Sequence, residues 1–196
     1  MSDAAAVLSG WERTARAVER VKARLRRAAA ALSGAGIPYA VIGGNAIAEW
    51  VGRVDDAAVR NTQDIDILVR RADLEATKSA LETVGFVHSY LIGLDIFLDG
   101  ANANPRDAIH VVFEREKIRS GDILPTPDIS ESEPAPQFQV VSLPALVRMK
   151  LDSNRLKDRV HILDLIGVGL VDASWLSQLP PLLAERLKLL LENPDS

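Results

Sequence analysis

The sequence has no cysteine. That excludes disulfides and thiolate-bound zinc, and it disfavours the small secreted scaffolds that disulfides staple together. No uninterrupted apolar run approaches the ~20 residues a helix needs to cross a bilayer, so no membrane span is expected. The opening stretch, MSDAAAVLSGWERT, lacks the basic segment and following apolar run of a secretory signal. The expectation is a soluble, cytoplasmic protein. Internal repeats and low-complexity tracts are also missing. Neither sign of charge dominates, since a net charge of −4 over 196 residues is too mild to name a partner. The exception is local: between Arg13 and Arg27 seven basic residues face only Glu12 and Glu19. Such a run either lines a solvated helix face or contacts RNA.

What is present is a core. Apolar residues make up 47% of the chain, enough to fold one domain, or one domain with a helical appendage. Residues 4–33 read as one long helix, because Trp11, Thr14, Val18, Val21, Leu25, Ala28 and Leu32 recur at spacings of three and four. Strands are expected at 37–42, 63–69, within 86–98 around Gly93, at 108–113 and at 138–141. Helices are expected at 46–50, capped by Asn45, at 74–84, capped by Asp73, and over 143–151, 157–166 and 179–191. Strands alternating with helices and followed by a helical tail argue for an α+β chain: a small mixed sheet flanked by helices. The expected organisation is an N-terminal helix over 1–36, a core over 37–119, a proline-rich connector over 120–137 and a helical part over 138–196 that packs on the core.

The segment 41–69 carries the chemistry. It contains Val41-Ile42-Gly43-Gly44, then a helix and a loop, then Asp64-Ile65-Asp66-Ile67. A strand that ends in two glycines and turns at once into a helix lets backbone amides approach a phosphate, where the helix N-terminus favours negative charge. Residues alternate faces along a strand, so Asp64 and Asp66 share one. Two carboxylates so close repel unless a cation lies between them, and Mg²⁺, which pairs hard oxygen ligands with substrate phosphates, is the natural occupant. A phosphate cradle beside a carboxylate pair is what metal-assisted nucleotidyl transfer requires.

In these residues the chain resembles the nucleotidyltransferase (DNA polymerase beta-like) superfamily, whose signature is an apolar strand, Gly-Gly or Gly-Ser, a helix, and then Asp-h-Asp-h, with h apolar. Arg60, Thr62, Asp64 and Asp66 also match the Arg-x-Thr-x-Asp-h-Asp pattern of its bacterial abortive-infection toxin-like and small antibiotic nucleotidyltransferase-like branches. The likeness extends loosely to Lys150 and to Arg155-x-Lys157-Asp158. It implies a nucleotidyltransferase fold and Mg²⁺-dependent transfer of a nucleoside monophosphate from an NTP to an acceptor: a small molecule, a tRNA or a protein. It implies Asp64 and Asp66 as metal ligands, and Gly43, Gly44 and Lys150 at the phosphates, with Asp158 holding Lys150 or the base. Arg60 either touches phosphate or pairs with Asp55 or Asp56, and Asn45 and Thr62 act as ligands or as backbone caps. The family's third carboxylate is missing from its expected strand, where His110 stands. Either His110 completes the site, or Asp95 or Asp107 does, or the fold survives as a weak or silent module that binds nucleotide, RNA or protein.

Overall fold

The computed structural model describes residues 9–104 and 107–193. Its centre is a seven-stranded mixed sheet. In chain order the strands are β1 (Tyr39–Ile42), β2 (Ile65–Val69), β3 (Val87–Leu91), β4 (Leu94–Leu98), β5 (Ile109–Phe113), β6 (Ser132–Pro134) and β7 (Gln139–Val141). Across the sheet they run β3-β4-β5-β2-β1-β7-β6. The pairs β2–β5 and β1–β7 are parallel and the others antiparallel. The helices are α1 (Gly10–Gly34), α2 (Gly43–Gly52), α3 (Leu74–Glu82), α4 (Leu143–Ser153), α5 (Leu156–Gly167) and α6 (Pro181–Glu192). No helix among the described residues is long and apolar enough to cross a membrane.

Alternation along the central strands feeds two separate cores. Ile65, Ile67 and Val69 of β2, with Ile109 and Val111 of β5, point toward α1 and α3 and are buried there. Leu68 of β2 and Ala40 and Ile42 of β1 point the other way, into a core built by α2, α4, α5 and α6. The sheet is therefore the middle of three layers, and polar residues on its second face need a gap in the helical cover. That gap is where Asp66 and His110 stand.

Several expectations are corrected. Residues 4–8 of the expected first helix lie outside the described residues. The helix begins at Gly10 behind a reciprocal cap, in which the Ser9 hydroxyl accepts from the Glu12 amide and Glu12 from the Ser9 amide. Its apolar stripe is buried only from Val21 onward: Trp11 is 87% exposed, Thr14 is exposed and Val18 is half-buried. The first turns simply extend past the edge of the core. The basic run on this helix is partly used internally, since Arg24 and Arg27 both pair with Asp99, and Arg26 pairs with Glu19. Within the stretch read as an extended connector, β6 adds an edge strand to β7, and Pro134 is tolerated there because an edge strand has a free side.

The burial pattern separates two substitutions on apolar residues. Leu146→Ala, at a fully buried α4 position, is expected to cost about 2–5 kcal/mol in urea denaturation. Trp11→Ala is expected to stay within about 0.5 kcal/mol of the parent.

Candidate active site

The site starts at the junction of β1 and α2. Ile42 pairs with Asp66 across the antiparallel β1–β2 ladder, and the helix begins at the next residue, Gly43. Gly43 has φ +70°, and a Cβ there would lie 2.1 Å from Asp66 Oδ2. Both the backbone and the carboxylate therefore demand glycine. A Cβ on Gly44 would lie 2.8 Å from Thr62 Oγ1, so the second glycine admits the chain that leads into β2. The N-terminus of α2 has no side-chain cap, which leaves its first amides available to an anion. Asn45, expected as the cap, lies inside the helix and donates from Nδ2 to the backbone carbonyl of Asp64 at 2.7 Å.

Asp66 sits within β2, directly opposite His110 on β5. Their side chains meet at 3.2 Å, His110 Nδ1 to Asp66 Oδ1. That hydrogen bond raises the imidazole pKa above its ordinary value; burial opposes the rise, and the charges of Asp66 and Asp64 add to it. Asp64 lies one residue before the strand and is more open, with Lys157 Nζ 3.6 Å from its Oδ2. The two expected carboxylates thus share a face, and each meets a nitrogen of a side chain from another element.

The candidates for a third carboxylate do not join them. Because Ile96 of β4 pairs with His110, the neighbouring Asp95 points to the opposite sheet face, where it holds His88 Nε2 at 2.7 Å. Asp107 precedes β5 and does not line the cleft. Among the described residues no group of three or more acidic or histidine side chains is placed to hold a metal.

The other wall comes from α4 and α5. Lys150, 7% exposed, donates to the fully buried Asp158 at 3.0 Å, and Arg155 Nε donates to the same carboxylate at 2.7 Å. Burial works against ionising Asp158, but Arg155 and Lys150 overcome it and hold the carboxyl well below the usual range. Gly43, Asp64, Asp66, His110, Lys150 and Asp158 all line one cleft of roughly 660 Å³. Arg155 and Lys157 line it too. They stand inside the quoted Arg155-x-Lys157-Asp158 motif, yet neither was expected at the site. The signal was their place at the start of α5, with Arg155 as its N-cap and Lys157 in its first turn beside Asp158. Arg60 pairs with neither Asp55 nor Asp56: its Nε donates to Asp164 on α5 at 2.8 Å, while Asp55 accepts from the amide of Ala57. Arg60, Thr62 and Asn45 stand behind Asp64, outside the cleft lining.

Comparison with known proteins follows this geometry. A family model described as "Uncharacterised nucleotidyltransferase" matches residues 4–133. Among solved structures, ANT(2")-Ia in complex with adenylyl-2"-tobramycin superposes with a TM-score of 0.54 at 15% identity, covering 91% of this chain and 99% of that one. A protein from H. pylori gives a TM-score of 0.53 at 14% identity, covering 96% of this chain and 80% of that one. These similarities show the fold. A search of curated proteins finds no match to the chain.

Gly43 is the most constrained residue of the site. Gly43→Ala is expected to cost at least about 1–2 kcal/mol from the positive φ alone, and more from the collision with Asp66. Urea denaturation checks this; a variant as stable as the parent would mean that Asp66 does not press on Gly43.

Proposed function

Given that the chain belongs to the uncharacterised nucleotidyltransferase family, we propose that it transfers a nucleoside monophosphate from an NTP to a hydroxyl or phosphate acceptor in the cleft below Gly43. The observation that supports this best is the contact of Asp66 with the Gly43 turn, which sets a carboxylate pair against an uncapped helix N-terminus.

The residues suit Mg²⁺. Asp64 and Asp66 offer an all-oxygen donor set, with one carboxylate oxygen of Asp66 fixed against backbone, and two protein carboxylates are a common complement for an ion that keeps water and phosphate as its other ligands. When bound, the ion would neutralise charge on the triphosphate. The chain's own groups do the rest. The first amides of α2 hold phosphate oxygens, as helix N-termini do. Lys150, kept charged and in place by Asp158, supplies a fixed cation at the cleft wall. His110 presents Nδ1 to Asp66, which leaves Nε2 to take the acceptor's proton. In the reaction the acceptor oxygen bonds to the α-phosphorus, the bond to the pyrophosphate oxygen breaks, and the proton passes to His110.

The acceptor side bears on substrate class. ANT(2")-Ia is bound to an adenylylated tobramycin, a polycation. Here the remaining cleft carboxylates are used internally. Glu131 pairs with Arg148, Asp152 accepts from the amides of Ile123 and Leu124, and Asp122 accepts from the amide of Arg119. Amide hydrogen bonds leave Asp122 and Asp152 anionic, so both can still meet a cationic group on an acceptor. The second reading, binding without turnover, has one observation on its side: among the described residues no third carboxylate joins Asp64 and Asp66.

Two experiments test these roles. Asp64→Asn and Asp66→Asn should each abolish Mg²⁺-dependent binding of NTP in titration calorimetry while the melting temperature holds, because relief of the repulsion between the carboxylates offsets the weakened contacts with Lys157 or His110. Unchanged affinity in both variants would sink the assignment. For His110, label transfer from an α-³²P-labelled NTP is the readout. His110→Ala should bind nucleotide but lose most turnover, and His110→Asp should recover part of it. Full turnover in the alanine variant would remove the histidine from the proton transfer.

A further inference from the structure

The two carboxylates are held by different means. Asp66 is inside β2, paired on both sides, with Ile42 of β1 and His110 of β5. Asp64 precedes the strand, and the β2 ladders reach no further back than Asp66 on β1 and Ile65 on β5. Segment 60–64 lies outside any strand or helix. Its placement comes from side chains. Asn45 Nδ2 grips the Asp64 carbonyl, and Thr62 packs on Gly44. Arg60 reaches α5 at Asp164, and Lys157, two helical turns earlier on the same face of α5, reaches Asp64 itself. The segment therefore runs antiparallel to α5, tied to it by an ion pair at each end.

The Arg60 end is built as an anchor. Asp164 is 10% exposed against 67% for Arg60, and its second oxygen, Oδ2, is buried without a hydrogen-bond partner among the described residues. The carboxylate is committed to the protein interior, and the guanidinium is the group that comes to it. An ion pair with one exposed member contributes little to global stability; what it fixes is where the segment lies.

We propose that Arg60 and Asp164 form a latch that positions Asp64, making the more open of the two carboxylates dependent on α5. This rests on the assignment of Asp64 and Asp66 to Mg²⁺. Arg60 is then a positioning residue that acts through Asp64 and touches no substrate. It also joins the two walls of the cleft, because the helix that receives Arg60 is the one that carries Lys157 and Asp158.

The test uses the full chain with Arg60→Ala, Asp164→Ala, the double variant and the swap Arg60→Asp with Asp164→Arg. Amide hydrogen exchange of residues 61–64, measured without ligand, should speed up in each single variant, while exchange in β2 stays as in the parent. The Mg²⁺ concentration for half-maximal binding of a non-hydrolysable ATP analogue should rise about 10-fold, the scale found for partners that orient metal ligands. The double variant should be no worse than either single one, and the swap should recover most of the loss. Arg53→Ala, which breaks pairs with Glu49 and Glu133 away from the cleft, should change neither readout. Additive effects in the double variant, or unchanged exchange in 61–64, would overturn the latch. A parent chain that binds no Mg²⁺-nucleotide while the exchange still responds would instead overturn the functional reading and leave the latch standing.

Discussion

The structure depends on one close approach, the carboxylate of Asp66 against the bare backbone of Gly43. No side chain fits between them, so β1 must turn into α2 at that residue with a positive φ. The same approach places the start of a helix beside a charged strand. Ladder pairing with β1 on one side and β5 on the other then fixes Asp66 along the strand direction. An acid beside a helix start is itself favourable, since the N-terminal amides carry partial positive charge. The same pairing suits a place where a cation and phosphates are to be gathered.

The second half of the chain completes the site by charge. The core shared by α2, α4, α5 and α6 brings the first turn of α5 up to the end of β2. Around the fully buried Asp158, Lys150 and Arg155 are locked into one ionic cluster, and Lys157 is directed outward to Asp64. Such a buried cluster contributes little net stability, since desolvation of the charges offsets most of their attraction. Its value is a fixed array of cations facing two carboxylates, an arrangement suited to a polyanion that brings its own metal.

Much of this was legible in the sequence because local periodicity writes it there. Period-2 alternation gave the shared face of Asp64 and Asp66, and the two glycines marked a turn. The nucleotidyltransferase fold followed from the same residues. What was not legible is decided by partners far along the chain. Arg60 finds Asp164 across 104 positions, not the nearby Asp55 or Asp56, because α5 packs alongside that segment. Asp95 was a reasonable third acid until strand pairing set it on the other face. Asn45 was read as a cap, yet the helix starts two residues earlier, where the Asp66 contact requires the turn. Trp11 lies on the right helical stripe, but the stripe outruns the core it was expected to cover.

A crystal structure with a non-hydrolysable NTP and Mg²⁺ tests the central claim most directly. The account predicts an ion about 2.1 Å from carboxylate oxygens of both Asp64 and Asp66, with phosphate oxygens on the first amides of α2 and Lys157 drawn away from Asp64. A nucleotide bound elsewhere, or bound in the cleft with no metal on these two aspartates, would contradict it.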